Sequence, residues 1–317
     1  MCNQLQTLLY RFENTYTGPH ATRGMTDPNP GDAGWFRHAD PANPDAGATA
    51  IRERTAEQPQ DWPAEAVRAG ILDSEDAYYD ALHDATVRAT RAAVRERETA
   101  PGQQLQHAIE AMDDAERTAN EIAERVAEWA GSLADGRSDD EDRAADIPGG
   151  VDGARAVAEW TPETPAEERV VSLSERAVDL DAERAELRSF VESQAPTVAP
   201  NLAEMAGPVL AARLLSLAGG LESLAKKPSG TVQVLGAEDA LFAHLRGRGS
   251  SPKHGVIFTH EHVRGTHPEN RGSAARALAG KLAIAARIDH YSGDFRQSVH
   301  DDLADRMATI RDREVGK

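Results

Sequence analysis

The sequence predicts a mainly α-helical protein in which a small N-terminal region, a long antiparallel coiled-coil hairpin and an all-helical C-terminal domain follow in order. Apolar residues make up 40% of the 317 residues but aromatic residues only 5%, so Ala, Leu and Val must form the core. That composition, with abundant Glu and Arg, favours helix. Two long segments repeat apolar residues at helical spacing, and positive charge collects after them in a chain of net charge −18.

Cysteine and hydropathy limit the class of protein. The single cysteine, Cys2, excludes an internal disulfide and a cysteine-based zinc site, which favours a reducing compartment, and we expect the cytoplasm. The sequence has no run of 18 apolar residues, so we expect no membrane span. Residues 1–24 are nearly neutral and differ in composition from the acid-rich residues after them, and we expect a disordered extension or a start-site artefact there.

The charge balance is strongly acidic: 53 Asp and Glu residues stand against 35 Lys and Arg residues, of which only five are lysines. Such a balance is typical either of a disordered or nucleic-acid-mimicking chain or of adaptation to molar salt, where dense carboxylates keep the surface hydrated. Because the apolar periodicity argues against disorder, we favour salt adaptation.

Residues 25–101 read as a small N-terminal domain. Residues 26–63 are rich in Pro, Gly, Asn and Asp and predict loops, with Trp35, Phe36 and Trp62 as its anchors. Residues 64–98 predict helices, with Ser74 as an N-cap.

Residues 102–195 predict the hairpin, because two apolar series alternate spacings of three and four residues. Arg184 interrupts the second series, and the connection between them is rich in Gly, Pro and acid. Each arm of about 30 residues would be roughly 45 Å long. The alternative is two ordinary amphipathic helices in a bundle. One hairpin would expose apolar seams, so we expect homodimerisation through it. The expected seam comprises Leu105, Met112, Ile122, Val126, Trp129, Leu133, Val170, Leu173, Leu180, Leu187 and Val191.

Residues 205–291 carry eleven Lys and Arg residues against six acids, and this asymmetry favours a polyanion site. The alternative is a buried domain that simply has less acid. "GTVQVLG" predicts a short extended link, and Leu241 and Phe242 are expected to face the core. The loop "RGRGSSPKHG" would present cations on a flexible backbone. Arg276 and Arg287 share one face of a helix expected near residues 268–291, and Gly280 between them allows either close approach of RNA or packing of another helix.

The stretches "APNLAEMAGPVLAARLLSLAGGLESLAKKPSGTVQVLGAEDALFAHLRGRGSSPKHGVIF" and "RGSAARALAGKLAIAARIDHYSG" closely resemble the Nop domain of scaffold proteins of box C/D ribonucleoproteins, with spliceosomal relatives. The resemblance places a Nop domain at residues 196–295 and leaves a C-terminal helix at 296–317. It implies binding of kink-turn guide RNA with a small kink-turn-binding protein. It also implies docking of the methyltransferase fibrillarin by the N-terminal domain and self-association of the coiled coil.

By the same resemblance, the complex methylates ribose 2′-hydroxyls of guided RNA, S-adenosylmethionine belongs to fibrillarin, and this chain is not an enzyme and needs no cofactor. Asp239 and Ala243 stand where the family usually has lysine and arginine, and Arg246 and Arg248 could take over part of that role. Together, charge pattern and resemblance give as RNA-binding candidates Lys226, Lys227, Gly236, Ala237, Glu238, Asp239, Arg246, Arg248, Lys253, His254, Arg276, Lys281 and Arg287.

Three other interpretations remain at the level of sequence. His254, His260, His262 and His267, with Glu261 as base, would suit a metal-dependent hydrolase, although no HExxH spacing occurs. An acidic coiled-coil scaffold without RNA contact would explain the hairpin alone. Membership of the splicing-factor branch would leave the fold unchanged.

Overall fold

The computed structural model describes residues 34–38, 43–53, 60–134 and 147–315. The expected extension at residues 1–24 lies outside these ranges. Regular structure in the described residues is helical, without a β-strand, so the prediction of a mainly α protein is confirmed. No helix in these ranges is both long and apolar enough to cross a membrane. The chain divides into two compact units, Met1–Glu98 and Thr99–Lys317.

The first unit contains a 3₁₀ turn at Trp35–His38 and the helices α1 (Pro44–Glu53), α2 (Trp62–Arg68) and α3 (Glu75–Thr99). Ser74 caps α3 as predicted, since its hydroxyl accepts the amide of Ala77 at 3.1 Å. The prediction of loops throughout residues 26–63 is wrong at α1. Its Pro44 occupies the first helical position, where a missing N–H is harmless, so this proline starts a helix instead of breaking one.

Aromatic side chains form the core of this first unit. Phe36 and Tyr78 are buried, and Phe36 meets Trp62 and Tyr78 edge-on with ring centroids 6.0 Å apart. The indole nitrogen of Trp35 donates a hydrogen bond to the Tyr78 hydroxyl at 3.0 Å. The expectation that Trp35, Phe36 and Trp62 anchor a small domain is confirmed.

The second unit opens with the two long helices of the hairpin, α4 (Pro101–Ala134) and α6 (Pro165–Val198), each 34 residues and therefore about 51 Å long. They run antiparallel, because the start of α4 packs on the end of α6 and the end of α4 on the start of α6. A capping box begins α6: Thr164 Oγ1 accepts the Glu167 amide at 3.2 Å, and Glu167 Oε2 accepts the Thr164 amide at 3.0 Å.

A third helix, α5 (Val151–Ala158), covers the far end of the hairpin, where the sequence had indicated only a Gly- and Pro-rich connection. Ala154 and Val157 are buried against Val126 of α4 and Val170 of α6. The chain itself therefore shields part of the seam that was expected to be open to water.

The buried stripe of α4 departs from the predicted seam toward the far end. Ala123, Val126 and Ala130 are fully buried there, whereas Trp129 is 37% exposed and lies outside the interface. A straight α-helix drifts relative to a strict heptad, which moves the stripe by one residue over this length. Of the other seam candidates, Leu105, Met112, Val126, Val170 and Val191 are buried, and Ile122, Leu133, Leu173, Leu180 and Leu187 are half-buried.

The remaining helices form a globular head on the base of the hairpin. Their bounds are α7 Pro200–Ala206, α8 Pro208–Ala218, α9 Leu221–Lys226, α10 Ser229–Val234, α11 Glu238–Leu245, α12 Glu261–Arg264, α13 Arg271–Tyr291 and α14 Gln297–Val315, with a 3₁₀ turn at Val256–Thr259. "GTVQVLG" is thus mostly helical, not extended, because Val232 is fully buried and tertiary packing overrides its β-branched character. α13 lies at the centre, with α7, α9, α10, α12 and α14 around it.

Hairpin and head share one core. Leu105, Ile109 and Met112 of α4 belong to the same buried cluster as Leu210 and Leu214 of α8. The half-buried Arg213 of α8 also binds both carboxylate oxygens of Asp113 of α4, at 2.5 to 3.2 Å. The base of the hairpin is therefore part of the head's hydrophobic core.

A buried carboxylate joins the two ends of the head. Asp289, near the end of α13, accepts the amides of Asn201 and Leu202 at 3.0 and 2.8 Å, and the Asn201 side-chain amide at 2.6 Å. These amides are the otherwise unpaired N–H groups at the start of α7. The Asn201 side chain extends the network by donating to the carbonyl of Asp294 and accepting the amide of Arg296.

Candidate nucleic-acid interface

A loop of residues 246–255 is pinned to α10 by its C-terminal end. The Gln233 side chain donates to the Lys253 carbonyl at 2.7 Å, and the Gly255 and Val256 amides donate to the carbonyls of Gln233 and Leu235 at 2.9 and 2.7 Å. A Cβ on Gly255 would lie 1.9 Å from the Leu235 carbonyl oxygen, so this position needs glycine. The contacts fix the backbone that carries Lys253.

Gly236, Ala237, Glu238 and Asp239 form the turn into α11. Gly236 has a positive φ of 79°, and its amide donates to the Glu238 carboxylate at 2.8 Å, so Glu238 caps its own turn. Asp239 is exposed. These four candidates shape the turn, and two of them add negative charge.

Helix α11 lies on the rim of the head with no buried residue. Phe242 is 53% exposed and Leu245 is 71% exposed, so the expectation that Phe242 faces the core is wrong. No other described element packs extensively on α11, so these side chains remain exposed.

His254 is part of a stack with Phe258 and Arg271. The His254 and Phe258 rings are 4.6 Å apart at 20°, and the Arg271 guanidinium lies 5.5 Å from the Phe258 centroid. Burial, and then the charge of Arg271, lower the pKa of His254, which therefore acts at neutral pH as a neutral stacking and hydrogen-bonding group. Lys253 lies beside the start of α13, since its Cδ is 4.0 Å from where a Gly272 Cβ would be.

Three of the eleven cations counted in the sequence are neutralised by carboxylates and are poor candidates for phosphate contact. Lys226 binds Glu222 at 2.5 Å, Lys281 binds Asp302 at 2.7 Å, and Arg213 binds Asp113. Two of these, Lys226 and Lys281, were predicted RNA-binding residues.

Two arginines are held by backbone carbonyls instead. Arg287 donates to the carbonyls of Ala225 and Lys227 at 3.0 and 3.1 Å, and Arg271 donates to the Thr266 carbonyl at 3.0 Å. A carbonyl orients a guanidinium but carries no net charge, so the full positive charge of each arginine remains. The described residues offer no carboxylate partner within salt-bridge distance of the other six cations, which are Lys227, Arg246, Arg248, Lys253, Arg264 and Arg276.

The outward face of α13 carries two of these arginines in one row of mostly exposed residues. Ser273, Arg276, Gly280, Ile284, Arg287 and Tyr291 follow helical spacing, and all but the half-buried Gly280 are exposed. A Cβ on Gly280 would meet nothing within 4 Å, so none of the described helices packs there, which argues against the alternative of a packing glycine. We call this row, from Ser273 to Tyr291, the α13 stripe.

The structure therefore divides the predicted site. Lys253 and His254 cluster beside the start of α13, and the backbone carbonyl of Lys227 accepts a hydrogen bond from Arg287 of the stripe. Arg246 and Arg248 remain on the exposed rim after α11. Phe258, Arg271 and Tyr291 were not predicted from the sequence. Spacing could have found Tyr291, because it follows Arg287 by four residues on the same helix face.

The other histidines have structural partners. His260 Nδ1 accepts the His262 amide at 3.1 Å and His260 Nε2 lies 3.1 Å from the Met205 carbonyl, which together define a neutral tautomer. Burial is the main cause that lowers the pKa of both His260 and His262. Within the described ranges, no group of three or more His, Cys, Asp or Glu residues is placed to hold a metal ion.

Comparison with known proteins identifies the domain formed by the second part of the chain. Residues 159–309 match the family model described as "Nop: snoRNA binding domain, fibrillarin". This part of the chain is a Nop domain. The match begins before α6 and reaches into α14, so it includes the second arm of the hairpin, whereas the resemblance had predicted a domain at 196–295.

Relatives of the Nop domain occur in archaea and eukaryotes. An uncharacterized NOP5 family protein of Methanocaldococcus jannaschii is 49% identical over 138 residues, which is 44% of this chain and 32% of that protein. Nucleolar protein 56 of Schizosaccharomyces pombe is 43% identical over 125 residues, 39% of this chain and 25% of that protein. Nucleolar protein 58 of Debaryomyces hansenii is 37% identical over 154 residues, 47% of this chain and 30% of that protein.

The chain therefore matches a third or less of the length of these curated relatives. Among solved structures, one described as the fibrillarin/Nop5p complex aligns with 86% of this chain and 93% of that chain, at a TM-score of 0.47 and 22% identity.

These names correct one expectation drawn from the sequence. The cytoplasm was expected from the single cysteine and the lack of an apolar span, but the eukaryotic relatives of the Nop domain are named nucleolar proteins. The expectation is wrong because low cysteine content indicates a reducing compartment, and nuclear compartments are reducing as well.

Proposed function

We propose that this chain is a non-catalytic scaffold of a box C/D ribonucleoprotein whose Nop domain binds kink-turn guide RNA together with a small kink-turn-binding protein. One observation carries the proposal: a Nop domain occupies residues 159–309, and cations without carboxylate partners among the described residues lie on its surface. The domain's description as a snoRNA-binding domain supports RNA as the polyanion.

The α13 stripe suits a phosphate backbone. Arg276 and Arg287 are eleven residues apart, so about 16 Å of helix separates two cations on one face. Gly280 between them leaves the helix backbone bare, which lets a bulky ligand approach closely. Arg287 is oriented in advance by two carbonyls, which reduces the side-chain entropy lost when it binds phosphate.

The rim around α11 suits a protein. Phe242 and Leu245 are exposed and apolar, and Asp239 and Ala243 remove the positive charge usual for the family. If the protein works in molar salt, as its acidic composition favours, the Debye length is about 3 Å and phosphate contacts lose most of their long-range contribution. We therefore propose that the domain binds the RNA–protein pair and binds neither component strongly alone.

The rest of the chain has a scaffolding role in this proposal. The N-terminal unit would dock fibrillarin, which binds S-adenosylmethionine and methylates ribose 2′-hydroxyls at guided positions. The hairpin would form a homodimer, and Trp129 and Phe190, exposed by 37% and 42% on its arms, are the candidate contacts.

Binding measurements test the RNA part. The full chain is titrated against kink-turn RNA, the kink-turn-binding protein and their complex, at 0.1 M and 2 M KCl. We expect strong binding to the complex alone at high salt, and Arg276→Ala to weaken it about tenfold. Arg125→Ala, an exposed hairpin arginine paired with Glu128 at 2.9 Å, is the matched control and should change nothing.

Each contrary outcome has a definite meaning. Tight binding to naked RNA at 2 M KCl would overturn the claim of joint recognition. No binding to RNA, protein or complex would favour an acidic scaffold without RNA contact and would overturn the proposal.

Reconstituted methylation tests the scaffold part. Guide RNA, substrate RNA, kink-turn-binding protein, fibrillarin and S-adenosylmethionine are combined with and without this chain. We expect guided 2′-O-methylation to require the chain, and the chain without fibrillarin to transfer no methyl group. Equal methylation without the chain would contradict the scaffold role.

A further inference from the structure

Tyr291 is an exposed aromatic side chain that no contact with the core explains. It is the last residue of α13 and is 69% exposed, and among the large apolar side chains of the described residues only Leu245 is more exposed. Its ring meets the neighbouring His290 ring edge-on at 4.6 Å. Packing in the core of the head therefore does not explain why this position carries a large aromatic residue.

Tyr291 continues the row of candidate RNA contacts. It follows Arg287 by four residues, which places it on the same helix face about 6 Å further along. Arg276, Gly280 and Ile284 precede it on the α13 stripe, and Ile284 is also 39% exposed. A strand that follows Arg276 and Arg287 would reach Tyr291 next.

Charge around Tyr291 favours a base over a phosphate. Arg287 and Lys227 supply positive charge without carboxylate partners among the described residues, but Glu222 neutralises Lys226 nearby. Tyr291 also lies at the negative end of the α13 dipole, with Asp294 three residues beyond. A phosphate would be repelled at this end, whereas the neutral face of a nucleobase would not.

We propose that Tyr291 is a stacking platform for an unpaired base of the RNA whose phosphates contact Arg276 and Arg287. Aromatic side chains beside cationic grooves bind unpaired bases in this manner, with little dependence on sequence. The inference rests on the proposed RNA-binding function and adds a subsite to it, at the end of the α13 stripe opposite the N-terminal cluster of Lys253 and His254.

The test uses the full chain with the RNA–protein complex. Tyr291→Ala should weaken binding about tenfold or more, while Tyr291→Phe, which keeps the ring, should bind like the parent. Phe295→Ala is the matched control, since it removes another exposed aromatic of the head, which lies beyond the end of α13 and outside the α13 stripe. Thermal unfolding of each variant should stay unchanged, because the Tyr291 side chain is mostly in solvent.

A second measurement identifies the partner of the ring. Unpaired nucleotides of the RNA are replaced one at a time by abasic residues, and each RNA is titrated with the parent and with Tyr291→Ala. Stacking predicts one nucleotide at which the two losses do not add, and a photoreactive 5-iodouracil placed there should crosslink to residue 291.

The outcomes separate this inference from the proposed function. If Arg276→Ala weakens binding but Tyr291→Ala does not, the stacking subsite is wrong and the RNA surface stands. If Tyr291→Ala weakens binding equally on every abasic RNA, the ring contacts protein and the inference is overturned. If the parent chain does not bind the complex, both proposals fail.

Discussion

The hairpin and the head use arginine differently. On the hairpin arms, arginines pair with carboxylates one turn away, as in Arg117–Asp114 at 2.5 Å and Arg125–Glu128 at 2.9 Å. In the head, Arg287 binds two carbonyls, and Arg276 has no hydrogen-bond or carboxylate partner among the described residues. The hairpin therefore cancels its positive charge locally, whereas eight of the eleven cations of residues 205–291 have no carboxylate partner among the described residues.

The same contrast holds for carboxylates. Those of the hairpin arms are mostly exposed and make pairs that contribute little in water, and less in concentrated salt. Asp289 of the head is 8% exposed and accepts three N–H groups. A count of charges along the sequence cannot distinguish exposed, paired carboxylates from a buried, hydrogen-bonded one. The same substitution of a carboxylate should therefore have very different effects on stability in the two regions.

The largest effect should follow loss of the buried carboxylate. Asp289→Ala leaves two backbone amides at the start of α7 and one N–H of the Asn201 side chain without their acceptor in a buried site, so we expect a loss of about 3 kcal/mol in the free energy of unfolding. Asp179→Ala removes an exposed hairpin carboxylate paired with Arg176 and should cost about 0.5 kcal/mol or less. Urea unfolding measures both, and similar losses would contradict the contrast between the two regions.

The next effect concerns the ion pair that joins the two regions. Arg213→Met and Asp113→Asn remove a two-oxygen contact between α8 and α4, and a double-mutant cycle should give a coupling of about 1.5 kcal/mol. The matched pair, Arg188 and Glu192, lies within one arm at 2.8 Å and should couple by about 0.4 kcal/mol. Equal couplings would mean that the head and hairpin base are not held by this contact.

Acid should weaken the head by protonating His260 and His262. Both pKa values are lowered in the folded protein. Below the unfolded value of about 6.5, the unfolded chain therefore binds more protons than the folded protein, and the free energy of unfolding decreases as the pH decreases. The contribution of the two histidines to stability is complete above that pH. It is lost as the pH falls from there to the lowered pKa values of the folded protein. Protonation also breaks the acceptor role of His260 Nδ1 and brings a positive His262 beside Arg311, with Glu261 as the opposing charge.

Urea unfolding at pH 7.5 and 5.5 checks this dependence. A variant with both His260→Gln and His262→Gln should lose part of the pH dependence that the parent shows. An unchanged difference between the two pH values would place the responsible groups elsewhere.

Periodicity predicted the long elements well and the short ones poorly. α4 and α6 were found because many apolar repeats average out local irregularity. α1 was read as loop because of its Pro and Gly residues, and α10 as extended because of Thr231, Val232 and Val234. Their helical state depends on packing against distant parts of the chain, which local propensity does not contain.

The candidate site was predictable as a region but not residue by residue. Charge asymmetry located it, yet Lys281 is neutralised by Asp302, 21 residues away, and Arg213 by Asp113, 100 residues away. Such pairs follow from tertiary contacts. The carbonyl contacts of Arg287 and the open space at Gly280 likewise depend on where α9 ends and where no helix packs.

The smallest expected change in stability allows a direct comparison of the two regions, because one helical glycine of the hairpin can be compared with one of the head. Gly131 in α4 and Gly280 in α13 lie inside helices, and a Cβ on either would meet nothing within 4 Å. Replacing each with Ala should raise the free energy of unfolding by about 0.5 to 1 kcal/mol, because alanine loses less backbone entropy on folding. Gly280→Ala should in addition weaken binding of the RNA–protein complex, since its methyl group fills the gap between Arg276 and Arg287, whereas Gly131→Ala should leave binding unchanged. If both variants gain stability and both bind like the parent, RNA does not approach the α13 backbone at Gly280, and the stripe contacts it through side chains alone.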